Sequence, residues 1–112
     1  MTIFGQGAVQ AWANISGDSN PPSLRDDYNV ASITDHEVGD MTANFDYDLP
    51  ISNYAAYCNA SNGDDGSYSG INDGGMAVGS CRYFTRTGSL SSGKTDMPLT
   101  IFAVFGDAHY GT

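Results

Sequence analysis

The sequence predicts an all-β fold, an antiparallel β-sandwich of about six to eight strands with no substantial helix. No stretch keeps apolar residues at helical spacing for long, and 14 glycines with 4 prolines interrupt the chain too often for long helices. Short segments that alternate apolar and polar residues lie between these interruptions. With 112 residues there is room for one domain with a modest core, which excludes a second domain.

The stretch from Arg25 to Tyr47 predicts a single β-hairpin around which the other strands are organised. A turn at residues 36–39, which ends in a glycine, places Asp35 opposite Asp40. The register then predicts four cross-strand pairs: Thr34 with Met41, Ser32 with Ala43, Val30 with Phe45 and Tyr28 with Tyr47. The opposite face is mostly polar and carries Asn29, Ala31, Ile33, Thr42, Asn44 and Asp46. This alternation is typical of an antiparallel sheet with one wet face, and a slip of one residue would reverse both faces.

Four further strands are predicted, at residues 9–15, 53–60, 76–84 and 99–105. The last of these is apolar on both faces, so it should be central or covered. In the first, Val9, Ala11, Ala13 and Ile15 share one face, while Trp12 points the other way. We therefore expect either a sheet covered on both faces or a subunit interface at Trp12.

Residues 1–8 predict an N-terminal arm, which precedes a sandwich domain at 9–106 and a C-terminal tail at 107–112. The arm contains two apolar residues, Ile3 and Phe4, among glycine and glutamine. Because terminal segments fray unless a contact holds them, two alternatives follow. The arm is either frayed or docked on a neighbouring molecule through Ile3 and Phe4.

The charge balance restricts the partners. Four basic residues against thirteen acidic ones give a formal charge of −9, and phosphate binding needs clustered lysine and arginine, so nucleic acid is not expected as a partner. No apolar run approaches the roughly 18 residues of a membrane span, and the first residues do not form a secretory signal. We expect no membrane contact and folding in the cytoplasm where the chain is made.

Residue types that carry catalysis are few. His36-Glu37 begins like a zinc-protease motif, but no second histidine follows and the pair lies in the predicted turn rather than on a helix. His109 lies in the tail, and no serine has the Gly-x-Ser-x-Gly pattern of a nucleophile elbow. The sequence therefore predicts neither an enzyme nor a bound cofactor.

The most acidic and glycine-rich window, residues 61–75, predicts a loop with three alternative roles. It can be a solvated, flexible connection. Its carboxylates Asp64, Asp65 and Asp73 are oxygen donors of the kind that calcium prefers, although the spacing is not that of an EF-hand. Tyr68 and Ile71 offer apolar contacts among small polar residues, as recognition loops often do.

Cys58 and Cys81 are the two cysteines, and they fall on the predicted strands that flank this loop. If those strands pair as a hairpin, the two residues are cross-strand neighbours with Cα atoms about 4.5–6 Å apart. Two buried free thiols are expected in a reducing cytoplasm, with a disulfide as the alternative after oxidation outside the cell.

The first half of the chain resembles a small β-domain of virion proteins of tailed bacteriophages, a domain often found at fibre C-termini. The family pattern runs A-W-x-N-F, then x-I-R-D-S-F-N-V-S-S-I-T-D, a glycine turn and G-D-Y-T-V-N-F. The matching residues are Ala11, Trp12, Asn14, Leu24, Arg25, Asp26, Tyr28, Asn29, Val30, Ser32, Ile33, Thr34, Asp35, Gly39, Asp40, Thr42, Asn44 and Phe45. The last strand, 101–106, matches weakly, and residues 59–75 do not fit the pattern.

The resemblance implies a non-enzymatic structural protein located in the virion and assembled as a homotrimer. Two roles follow: a capsid decoration or cement protein bound to the major capsid protein or another virion protein, or a tail or head fibre knob that binds a host-surface glycan or receptor. The chain begins at Met1 and reaches its first strand by about residue nine, without a shaft or coiled-coil heptads, which favours decoration. A free calcium- or glycan-binding lectin-like module is the third alternative.

Overall fold

Eight β-strands and no helix make up the part of the chain that the computed structural model describes, residues 8–61, 67–86 and 93–106. The strands are β1 (Ala8–Ser16), β2 (Ser23–Tyr28), β3 (Val30–Glu37), β4 (Asp40–Phe45), β5 (Ala55–Ser61), β6 (Tyr68–Ala77), β7 (Ser80–Arg86) and β8 (Leu99–Gly106). They form two four-stranded antiparallel sheets, which confirms the predicted all-β fold class. Within the described ranges there is no helix long and apolar enough to cross a membrane.

The two sheets enclose the core between them. Sheet I has the order β2-β1-β8-β5, and sheet II has the order β3-β4-β7-β6. Strand β8 lies between β1 and β5, so of the two predicted positions for the last strand, central or covered, the structure shows the central one. Tyr83 from sheet II packs against Phe102 from sheet I with ring centroids 5.7 Å apart, and Phe45 reaches the same ring at 6.4 Å. Burial of these large rings contributes to the apolar contact between the two sheets.

The predicted single hairpin from Arg25 to Tyr47 is wrong in its outer half. Residues 25–28 belong to β2, which pairs with β1 in sheet I, while β3 begins sheet II at Val30. Asn29, between them, has a φ of 57°, a left-handed conformation that asparagine tolerates better than most residues. The chain therefore changes sheets at Asn29, and Tyr28 does not pair with Tyr47.

Within the β3–β4 hairpin, the pair of Val30 with Phe45 is confirmed, but the predicted register beyond it is wrong. A bulge between Val30 and Ser32 adds one residue to β3, which exchanges the two faces of that strand. The observed pairs are Ser32 with Asn44, Ile33 with Ala43, Thr34 with Thr42, Asp35 with Met41 and Glu37 with Asp40. Consequently Ile33 packs against the core, whereas Ser32 and Thr34 are exposed.

The turn of this hairpin contains only Val38 and Gly39, so His36 and Glu37 lie in β3 and not in a turn. Gly39 has a φ of 68°, and a Cβ atom at this position would lie 2.4 Å from the carbonyl oxygen of Thr85. Only glycine fits there, because other residues disfavour this conformation and would clash with β7.

The predicted single strand at residues 76–84 instead contains the turn of a second hairpin, formed by β6 and β7. Strand β6 ends at Ala77, the chain turns at Val78-Gly79, and β7 begins at Ser80, which pairs with Ala77. The predicted pairing of the two cysteine-bearing strands is also wrong, because β5 lies in sheet I and β7 in sheet II. Cys58 and Cys81 are both buried and free, as expected for thiols, and burial raises the pKa of Cys58 to about 12.

Candidate functional site

A row of large side chains crosses the outer face of sheet I. Trp12 on β1 pairs with Tyr28 on β2 and with Ala103 on β8, and Ala103 pairs with Tyr57 on β5. Paired residues share a face, so Tyr28, Trp12, Ala103 and Tyr57 stand side by side across all four strands. The aromatic members remain accessible, with 54% of Tyr28, 36% of Trp12 and 55% of Tyr57 exposed. We call this set the aromatic row.

Apolar residues extend the aromatic row along the sheet. Val9 and Phe105 pair on one side of the row and are exposed, and Leu99 is exposed at the other end of β8. Ile101 lies between Leu99 and the row and is half-buried. Charged side chains lie at the β2 edge, where Arg25 donates hydrogen bonds to Asn14 Oδ1 at 3.1 Å and to the carbonyl oxygen of Pro98 at 2.6 Å. The face is mixed, because the polar residues Asp26, Asn14 and Asn59 stand in line with Ile101 beside the aromatic row.

The outer face of sheet II is different in kind. Asn44 donates hydrogen bonds to Ser32 Oγ at 3.1 Å and to Thr34 Oγ1 at 2.8 Å, and His36 Nε2 lies 2.7 Å from Thr42 Oγ1. These polar side chains satisfy one another and need no partner. Among the described strands, sheet I carries four exposed aromatic side chains, Trp12, Tyr28, Tyr57 and Phe105, and sheet II carries one, Tyr68.

An ion cluster also belongs to sheet II, at the turn of the β3–β4 hairpin. Asp40 is 3% exposed and accepts hydrogen bonds from Arg82 Nε at 2.7 Å, from Arg82 Nη2 at 2.8 Å and from Lys94 Nζ at 3.1 Å. The hydrogen bonds from Arg82, aided by Lys94, hold the pKa of this carboxyl well below its usual range. All groups of the cluster are engaged with one another, so we assign it to stability rather than to ligand binding.

A cleft of about 370 Å³ opens beside the aromatic row, where β2 ends. Its lining comes from three chain segments and consists of Gln10, Tyr28, Asn29, Asp46, Tyr47, Asp48, Leu49 and Pro50. We call it the Tyr28–Tyr47 cleft. Sequence reasoning missed it, because the hairpin prediction placed Tyr28 and Tyr47 opposite each other on adjacent strands. The available signal was the repeated Asp-Tyr dipeptide, at 27–28 and 46–47, each followed by a further polar residue.

Asn29 holds the cleft together. Its side-chain amide donates hydrogen bonds to the carbonyl oxygens of Gln10, at 3.1 Å, and of Tyr47, at 3.2 Å. Its side-chain oxygen accepts a hydrogen bond from the backbone N–H of Tyr47 at 2.8 Å. The amide thus connects the first strand, the crossing point between the sheets and the segment after β4, so one residue fixes the three segments that line the cleft.

The residues predicted for function fall into different places. Trp12 points outward as expected, while Ile3 and Phe4 lie outside the described residues, as does His109. Tyr68 and Ile71 are strand residues of β6 and not loop residues, and Ile71 packs against the core, which corrects the predicted recognition loop.

The predicted calcium ligands are only partly within the described chain. Asp64 and Asp65 lie outside it, and Asp73 is an exposed residue of β6. Among the residues that the structure describes, no group of three or more His, Cys, Asp or Glu side chains could hold a metal ion.

Comparison of this chain with protein-family models, with curated proteins and with solved structures gives no match.

Proposed function

We propose that this chain is a non-enzymatic structural protein of a tailed-phage virion, a capsid decoration protein that acts as a homotrimer. The resemblance of residues 11–45 to phage virion β-domains supports the virion assignment. The aromatic row on sheet I is the observation that supports the assembly. It places three exposed aromatic rings in one line, and the exposed apolar residues Val9, Leu99 and Phe105 lie on the same face.

The physical reason is the hydrophobic effect. Removing apolar surface from water stabilises an assembly by roughly 25 cal/mol per Å², and aromatic residues are the ones enriched in the buried centre of interfaces. A closed ring of three copies uses a head-to-tail contact, so each copy contributes two different patches. The aromatic row reaches both edge strands of sheet I, β2 and β5, so it can supply apolar contacts to both neighbours.

The oligomeric state tests this proposal. Light scattering of the purified chain at micromolar concentration should give the mass of a trimer. Tyr57→Asp, which adds a charge at an exposed position of the aromatic row, should shift the protein to monomer. Tyr68→Asp is the matched control, because Tyr68 is 50% exposed but belongs to sheet II, and it should leave the trimer intact. A monomeric parent protein, or a trimer that Tyr57→Asp does not disturb, would remove the assigned interface.

A fibre knob that binds the host surface is the second candidate function. The Tyr28–Tyr47 cleft favours it, since a recognition module needs a concave site with aromatic and polar groups and a cement protein does not. Co-sedimentation separates the two functions. Binding to undecorated phage heads supports decoration, whereas binding to host cells without binding to heads supports the knob.

A further inference from the structure

Three polar side chains in the Tyr28–Tyr47 cleft have no hydrogen-bond partner within the described part of the chain. They are the carboxylates of Asp46 and Asp48 and the amide of Gln10, all of which line the same cavity. The backbone of this region is held by hydrogen bonds: Asp46 N–H donates to the carbonyl oxygen of Asn29 at 3.2 Å, and Leu49 N–H donates to that of Val78 at 2.8 Å. Unengaged acceptors and a donor therefore face a cavity whose frame is held by other contacts.

Two tyrosine rings complete the lining. Tyr47 is 80% exposed, and Tyr28 is 54% exposed at the end of β2. Exposed rings beside hydroxyl-binding groups match a pyranose, because the C–H face of the sugar packs on an aromatic ring while its hydroxyls bind carboxylate and amide groups. We propose that the Tyr28–Tyr47 cleft binds a neutral hexopyranose unit of a glycan. This inference rests on the fibre-knob function proposed above and not on the trimer, although Tyr28 also belongs to the aromatic row.

The charge of the cleft selects the class of sugar. Two of its lining residues are aspartates, and none is lysine or arginine. A phosphorylated, sialylated or uronic sugar would bring an anion against Asp46 and Asp48 without a compensating cation, which is unfavourable in a partly desolvated site. Sugars without an acidic group meet no such repulsion.

A small cation is the alternative that the two carboxylates suggest, and the geometry favours the sugar over it. Binding of a cation by tyrosines relies on rings that enclose it, but Tyr47 is open to solvent over most of its surface. The Gln10 amide also offers a donor, which hydroxyl groups can use and an ammonium cannot.

The cleft is pre-formed, which lowers the cost of binding. The Asn29 amide bonds hold the Gln10 and Tyr47 backbones, and the buried Leu49 side chain anchors the segment that carries Asp48. Its volume of about 370 Å³ is at the lower end of the range for ligand sites, enough for one or two sugar rings. Because the site is single and open to solvent, we expect a dissociation constant in the millimolar range, roughly 1 mM.

Saturation-transfer NMR on the full chain tests the proposal, with glucose, galactose, mannose and N-acetylglucosamine as probes at ~10 mM, well above the expected dissociation constant. At least one of these sugars should receive saturation. Tyr47→Ala should weaken its binding by about tenfold or more, because the substitution removes a stacking ring. The fold should persist, since the Tyr47 side chain is 80% exposed and the hydrogen bonds of Tyr47 with Asn29 use its backbone atoms. Asp48→Asn, which keeps the shape of the side chain, should also weaken binding.

Tyr68→Ala is the matched control and should bind like the parent protein, because Tyr68 is similarly exposed on the other sheet. N-acetylneuraminic acid and choline serve as the anionic and cationic comparisons and should receive no saturation. Absence of transfer to all four neutral sugars, or transfer that survives Tyr47→Ala unchanged, overturns the proposal. Choline binding that is lost in Tyr47→Ala overturns it in favour of a cation site.

Discussion

Replacement of Asp40 by asparagine should destabilise the protein strongly for a change of so few atoms. The carboxylate is almost completely buried and accepts three hydrogen bonds from Arg82 and Lys94. Asparagine keeps the shape but removes the charge, so it leaves Arg82 without its counter-ion and leaves Lys94 only Glu37, at 3.9 Å. Breaking a fully buried ion pair costs about 3–5 kcal/mol. The side chains of Arg82 and Lys94 are 37% and 40% exposed, so water screens part of the loss, and we expect about 2–3 kcal/mol.

Urea and thermal denaturation followed by circular dichroism measure this loss. For a domain of this size, 2–3 kcal/mol corresponds to a decrease in Tm of roughly 8–12 °C. Asp27→Asn is the matched control, because Asp27 is an exposed carboxylate of β2, and its substitution should change the free energy of unfolding by less than about 0.5 kcal/mol. If Asp40→Asn is as stable as this control, the ion cluster does not hold the hairpin turn against β7.

The same cluster predicts an acid dependence. The pKa of Asp40 is lowered in the folded protein, so the folded state binds a proton less readily than the unfolded chain, whose aspartate pKa is about 3.9. The stabilisation is therefore present above about pH 4 and is lost as the pH falls toward the folded-state pKa. The stability difference between the parent protein and Asp40→Asn should decrease below about pH 4, and a difference that is constant with pH would contradict the assignment.

Three further predictions concern the core, the acidic segment and the arm. Phe45→Ala should cost about 3–5 kcal/mol, measured by urea denaturation, because it removes a ring that packs against Phe102, whereas Thr42→Ala on the outer face should cost far less. Replacement of Asp64, Asp65 and Asp73 by asparagine should change the free energy of unfolding by less than about 0.5 kcal/mol, measured by thermal melting with and without calcium. A Tm that a chelator lowers would indicate a metal site. Deletion of residues 1–7 should abolish co-sedimentation with undecorated heads and leave the trimer intact, and continued binding would show that the arm is not the anchor.

The alternation of apolar and polar residues predicted correctly those strands in which it is not interrupted. The outward Trp12 and the central or covered position of β8 followed from side-chain period and composition alone, and both are confirmed. The β3 strand failed because its bulge adds one residue, and a bulge leaves no clear mark in a run such as Val30-Ala31-Ser32. The missed turn at Val78-Gly79 repeats the Val38-Gly39 dipeptide of the first hairpin, so a comparison of the two segments would have found it.

Local sequence patterns could not predict the cleft, because it forms where the chain passes from sheet I to sheet II at Asn29. An asparagine tolerates the left-handed conformation but does not require it, and the sequence contains others that remain in strands, such as Asn14 and Asn44. Once Asn29 directs the chain from sheet I to sheet II, Gln10 and Tyr47 come together although they are far apart in sequence. Such a site follows from topology, which the alternation of side chains does not specify.

The reactivity of the two buried thiols can be used to measure how often the folded protein opens. Burial raises the pKa of both Cys58 and Cys81, so the native chain presents almost no thiolate at neutral pH. Alkylating reagents can then react only with molecules that have opened enough to expose these cysteines to solvent. The rate of thiol labelling thus measures how often the native protein opens, without added denaturant.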